Sequence, residues 1–193
     1  MGVFGVRSFA FLVLCSFTFV NGAKAGIVKA TITGTVQDGN DQGVFGSSGS
    51  LIGKSFTLVF TFDEAKGQQS TRSSNGVPYY SEIVGGGTTT LTIAGKIVSF
   101  PQAGDARTRS SAWRNVRIGD NAWNEFYFDV PGVSVRLGPG SAPLLTTNYE
   151  WRAPLEYQFP AGSLNTQNSF NCGDTHYRAS GYLKADSIVI TAH

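Results

Sequence analysis

Three stretches of this sequence carry residue types that could do chemistry. The first is WRNVRIGDNAWNEFYFDV, Trp113 to Val130. Its register can be tested by pattern. A two-residue loop at Asp120-Asn121 pairs Val116 with Glu125 and Ile118 with Trp123, which mixes core and solvent positions. A three-residue loop, Asp120 to Ala122, pairs Val116 with Phe126 and Arg117 with Glu125. Val116, Ile118, Phe126, Phe128 and Val130 then share one face, with Asn124 the exception opposite Ile118. Trp113, Asn115, Arg117, Trp123, Glu125, Tyr127 and Asp129 share the other. Rings beside amides, acids and a guanidinium suit a sugar: rings stack on the apolar side of a pyranose, and polar groups take its hydroxyls. Two readings stand for this face. It is a ligand platform, or it is covered by the segment Gly138 to Pro154 with Trp151 packed on it.

The second stretch is DGNDQGVFG, Asp38 to Gly46. Asp38, Asn40, Gln42 and Gly43 match the first half of a helix-flanked calcium loop. Its twelfth position falls on Gly49, which has no carboxylate, and no helical pattern flanks it. A looser calcium site through Asp38, Asn40 and Asp41 is one reading. A glycine-permitted turn leading to the next strand is the other. The third stretch holds Cys172, Asp174 and His176, a spacing that could seat a thiolate near an imidazole or two metal ligands. A site there needs partners the sequence does not supply, so a loop is expected, with Cys172 buried as a small apolar residue.

No nucleophile elbow occurs. Glu125 and Asp129 are four residues apart on one strand, roughly 13 Å by the strand rise. Paired carboxyl groups of glycosidases stand about 5–9.5 Å apart, so these two alone do not make such a pair.

The elements that must position these residues are strands. Val28, Ala30, Ile32 and Val36 alternate with polar residues, and so do Phe56, Leu58, Phe60 and Phe62. Further strands are expected at Thr88 to Ala94, Lys96 to Phe100, Ala112 to Gly119, Trp123 to Val130, Val133 to Leu137 and Leu155 to Phe159. Tyr177 to His193 gives one long strand or two short ones, with a bulge or turn at Asp186-Ser187. A tight hairpin is expected at Ala94-Gly95-Lys96. Gln68 to Val77 and Gly138 to Thr147 read as loops. The pattern predicts an all-β, single-domain antiparallel sandwich or jelly roll over residues 26–193.

Residues 1–25 read as a signal peptide. Arg7 supplies the positive end, Phe9 to Val20 the apolar run, and Ala23 and Ala25 the small residues at −3 and −1 of a cleavage site. Phe9 to Val20 is too short for a bilayer anchor, and Leu14 before Cys15 does not fit a lipoprotein signal. The chain carries 15 Lys and Arg and 13 Asp and Glu. Arg7 and Lys24 leave with the signal, so 13 basic and 13 acidic residues remain. That balance lacks the footprint of a nucleic-acid or anionic-membrane partner. Of the two cysteines, Cys15 also leaves, so no intrachain disulfide is expected.

The segment from Ala30 to Asp63 resembles the opening of a group of bacterial secreted proteins, many of which end in a PEP-CTERM sorting tail. The resemblance rests on Gly34-Thr35-Val36, Gly43-Val44-Phe45-Gly46, Leu51-Ile52-Gly53-Lys54-Ser55-Phe56-Thr57 and Thr61-Phe62-Asp63. LTIAGKIVSF and the final GYLKADSIVITA are also similar to that group. It implies an exported bacterial β-protein and carries over no catalytic residues. The sequence ends at Ala192-His193 without a sorting tail, so free release is expected. The function expected is therefore a secreted, non-enzymatic β-protein, extracellular or periplasmic, without a cofactor unless it is calcium. A carbohydrate-binding module using the Trp113 to Tyr127 face is the alternative, and a glycoside-active enzyme the third reading.

Overall fold

The computed structural model describes residues 26–46, 48–74, 77–100, 110–117, 123–138, 152–159, 168–173 and 178–193. Among them Ser74, Val77, Pro78, Trp113, Asn115, Val116, Arg117, Trp123, Asn124 and Glu125 are described by backbone alone. These residues are all-β and antiparallel, as the alternation predicts. The strands are β1 (Ile27–Gln42), β2 (Ser48–Ser50), β3 (Ser55–Asp63), β4 (Gln68–Ser74), β5 (Val77–Val84), β6 (Gly87–Ile93) and β7 (Lys96–Phe100). After them come β8 (Ser111–Arg117), β9 (Trp123–Val130), β10 (Val133–Leu137), β11 (Leu155–Gln158), β12 (Ser169–Gly173) and β13 (Arg178–Ala192).

They form one sheet, ordered β4-β5-β8-β9-β10-β12-β13-β1-β3-β6-β7, with β11 beside β13 and β2 beside β1. The sheet turns back on itself. Phe60 of β3 and Phe128 of β9, five strand positions apart in that order, stack at 5.0 Å between ring centroids. Two-layer packing is thus made by a continuous sheet, a form compatible with the expected sandwich.

The best-patterned part is the group β1, β3, β6 and β13. In β3, Phe56, Leu58, Phe60 and Phe62 are buried while the residues between them are half-buried or exposed. Their opposite numbers are Gly34, Ile32, Ala30 and Val28 of β1, and Ile93 and Leu91 of β6 lie beside Phe56 and Leu58. Ala94 and Gly95, both at positive φ (50° and 80°), turn the chain between Ile93 and Lys96. This is the two-residue hairpin geometry whose twist matches the strands.

β13 is one long strand, and the expected irregularity at Asp186-Ser187 is a bulge. Thr33 faces Ser187 and Gly34 faces Ala185, so Asp186 is the extra residue. Its carbonyl accepts the Phe159 amide at 2.8 Å, which ties in the chain after β11. A second shift, between Val36 and Asp38, makes Gln37 extra on β1.

Four expectations are corrected. Asp38 to Gln42 is not a turn; β1 continues through it, and the turn comes at Gly43 to Gly46. Gln68 to Val77 is not a loop; β4 and β5 pair there, Ser74 with Val77. Asn75-Gly76, the pair between them, is a strong hairpin signal, but the polar run QQSTRSS hides an edge strand that has only one neighbour to satisfy. Ser169–Gly173 is a strand missing from the expected set, too short to show a period. The β8–β9 hairpin pairs Val116 with Asn124 and Arg117 with Trp123, two residues away from the expected register. In the observed register Ala112 lies opposite Phe128, which leaves room for the ring stacked on Phe60. The shift is even, so it keeps every residue on its expected face.

Candidate functional site

The core-facing side of β8 and β9 contains a charge. Arg114 lies opposite Phe126, between Ser81-bearing β5 and β9, and is fully buried. Its guanidinium sits 4.4 Å over the Phe126 ring, and Nη1 donates to the Ala153 carbonyl at 3.5 Å. Burial pulls its pKa down to about 10. A cation here is held by π-face attraction and by backbone oxygen.

The opposite face is the candidate site. The ladder sets Trp113 beside Tyr127, Asn115 beside Glu125, and Arg117 beside Trp123. It therefore brings together all six residues singled out by pattern. It also enlarges the set. Glu82 of β5 is the neighbour of Trp113, and Arg136 of β10 the neighbour of Tyr127. One row across four strands is Glu82, Trp113, Tyr127 and Arg136. The adjacent row is Arg72, Tyr80, Asn115 and Glu125.

The described side chains of these rows already interact. Arg72 stands 4.9 Å over the Tyr80 ring. Ser70 Oγ is 3.4 Å from Glu82 Oε2. Burial, then the charge of Glu82 and its hydrogen bond, push the Tyr80 phenol up to about 12. Ser134 Oγ donates to the Tyr127 hydroxyl at 3.4 Å. The Arg136 amide donates to Asn168 Oδ1 at 2.9 Å, which holds β10. Tyr80, Glu82 and Arg136 were not singled out by sequence reasoning. The alternation of Tyr80 and Glu82 with buried Ser81 and Ile83 is a signal that could have found the first two.

The same face continues across β10, β12, β13 and β1. Asp129, Ser134, Ser169, Tyr182 and Asp38 follow one another in a row. Asn171, Ser180 and Asn40 form the next. These two rows edge a depression of about 410 Å³, and Tyr182 stands in it 58% exposed. Its floor is backbone: Gly181 faces Gly39 and Phe170, and a Cβ on Gly181 would meet the Asp38 carbonyl.

The three calcium candidates do not converge. Asp38 and Asn40 are exposed at that depression, whereas Asp41 faces the interior beside Ala179 and is 1% exposed. Its Oδ1 accepts the amides of Gly43, Val44 and Phe45 at 3.1, 2.7 and 3.2 Å. The carboxylate thus closes the turn that the nearby glycines permit. Among the described residues no group of three His, Cys, Asp or Glu is placed to hold a metal.

Cys172 is buried in the same inward row as Asp41. Burial and the Asp41 charge push its thiol up to about 12. Asp174 and His176 lie outside the described residues, as do the Asp120 to Ala122 loop and Trp151. Of the segment Gly138 to Pro154, the other reading's cover for this face, residues 139–151 also lie outside the described residues, while Arg152 pairs with Glu64 at 3.2 Å and Ala153 meets Arg114.

Comparison of the chain with family models, with curated proteins and with solved structures found no match.

Proposed function

We propose that this is an exported, non-enzymatic bacterial β-protein that binds carbohydrate on the outer face of β5, β8, β9 and β10. Export is supported by the signal-like residues 1–25 and by the resemblance of Ala30 to Asp63 to bacterial secreted proteins. The observation that carries the binding reading is the pair of adjacent rows, Glu82-Trp113-Tyr127-Arg136 and Tyr80-Asn115-Glu125. Aromatic and hydrogen-bonding residues stand side by side there on neighbouring strands, about 4.8 Å apart. A pyranose offers the matching surfaces, apolar C–H on its faces and hydroxyls on its rim. Trp113, Trp123 and Tyr127 supply rings; Asn115, Arg117 and Glu125 supply donors and acceptors.

A glycan-array screen of the protein without residues 1–25 tests this. Binding to a restricted set of glycans, weakened at least tenfold by Trp123→Ala, is the expected result. Retention by no glycan, or binding that Trp123→Ala and Tyr127→Ala both leave intact, would sink the reading.

A further inference from the structure

Gly26, the residue that follows the small-residue pattern Ala23-Lys24-Ala25, does not hang free. Its backbone nitrogen donates to Glu64 Oε2 at 3.1 Å, and its carbonyl accepts the Glu64 amide at 3.0 Å. The Glu64 carboxylate is 8% exposed as a residue and lies at the end of β3. It also accepts Gln69 Nε2 at 3.2 Å and Arg152 Nη1 at 3.2 and 3.3 Å. One buried acid therefore gathers a side-chain amide, a guanidinium and the nitrogen of the bond that export would cut.

We propose that Ala25–Gly26 is the processing bond of this chain, and that cleavage seats the new Gly26 ammonium on the Glu64 carboxylate. The inference rests on the export part of the proposed function. A signal-peptidase-type protease adds water across the bond. The Ala25 carbonyl carbon takes the hydroxyl and ionises to a carboxylate, and Gly26 nitrogen takes the protons. The N–H contact to Glu64 becomes a charge-assisted one, the stronger kind. Glu64 then faces two cations, the ammonium and Arg152.

The position is set by the sheet as well as by the protease. Ile27 is locked between Asp63 and His193, exchanging both backbone hydrogen bonds with His193 at 3.0 and 2.9 Å. A Cβ at position 26 would meet the His193 carbonyl oxygen, so the residue after the cut has to be glycine.

The full chain is exported from a bacterial host, and its N-terminus is read by intact mass. A product beginning at Gly26 is expected; a chain that keeps residues 1–25 would overturn the export reading itself. A start elsewhere would overturn the assignment of the bond while leaving export standing. Two purified forms, beginning at Gly26 and at Ala25, are then melted side by side, each with and without Glu64→Gln. The Gly26 start is expected to melt about 2–4 °C higher, the shift of one modest interaction in a chain of this size. That difference should vanish with Glu64→Gln. Equal midpoints for the two starts would overturn the ammonium site even where Gly26 is the true end. If Glu64→Gln does not fold, acylation of the Gly26 amine decides instead. It should lag behind the exposed lysines in the native protein and catch up in denaturant; an amine modified as fast as the lysines would refute the seat.

Discussion

The two ends of the sheet use the same alternation differently. In β1, β3 and β6 the inner face is mostly hydrocarbon, from Val28 and Ile32 to Phe62 and Ile93, with Thr89 and, at the far end of β1, Asp41 as polar exceptions, and the outer face is largely Thr. In β5, β8 and β9 the inner face includes Ser81 and the buried Arg114, while the outer face carries Tyr80 and Tyr127, the latter paired in the ladder with Trp113. The first end spends its large residues on cohesion. The second places rings where they do not join the core, and it admits a cation where they would have. That inversion is the contrast on which the proposed carbohydrate-binding reading rests.

The contact that joins the ends gives the largest expected effect. Phe60→Ala and Phe128→Ala should each destabilise by about 3–5 kcal/mol, measured by urea unfolding. The double substitution should cost less than the sum, because one stacked pair is lost twice over. Additive losses would mean the two ends do not pack through these rings. Next in size is Asp41→Ala. It strips three amides of their acceptor and should cost about 1.5–3 kcal/mol. Calcium or EDTA should leave the parent's melting midpoint in place, because Asp41 is already engaged and turned away from Asp38 and Asn40. A midpoint raised by calcium would restore the metal reading.

Cys172 gives a pH signature. The folded thiol holds its proton to about 12, whereas the unfolded one releases it near 9.0. The unfolded chain therefore gains from ionisation first, and stability falls as pH rises from about 9 toward 12. Cys172→Ala should flatten part of that fall. In the native protein at pH 8 the thiol should resist iodoacetamide until denaturant is added. A smaller effect on stability separates the outer faces. Tyr127→Ala and Thr31→Ala should each move stability by less than about 1 kcal/mol, but only Tyr127→Ala should reduce glycan retention. Equal retention would erase the contrast between the two ends. Smallest of all is Lys66→Ala. Its ammonium, 3.0 Å from Asp63, holds that exposed carboxyl below the usual 3.8 through a side-chain hydrogen bond. The substitution should leave the neutral-pH midpoint unmoved and raise the pH at which Asp63 titrates by NMR.

Much of this architecture is legible in the residues alone. The alternation in Val28 to Val36 and Phe56 to Phe62 names its own buried face, since a strand buried on one side has only one apolar set to offer. Gly95 between two short β runs marks its hairpin, because glycine tolerates the positive φ found there, which Ala94 adopts beside it without that freedom. Parity also survives an error of register, so Trp113, Asn115, Arg117, Trp123, Glu125 and Tyr127 stay on one face despite the two-residue shift. Local pattern did not determine which strands lie side by side. Tyr80 comes beside Asn115, Glu82 beside Trp113 and Arg136 beside Tyr127 through ladder pairing that no single strand encodes. Arg114 shares its parity with Val116 and Ile118, but only the fold brings Phe126 and the Ala153 carbonyl, 39 residues away, over its guanidinium. Asp41 reads as a metal ligand until the turn it caps is folded around it. Periodicity reports which side of a strand is apolar; only the meeting of distant strands decides what each side touches.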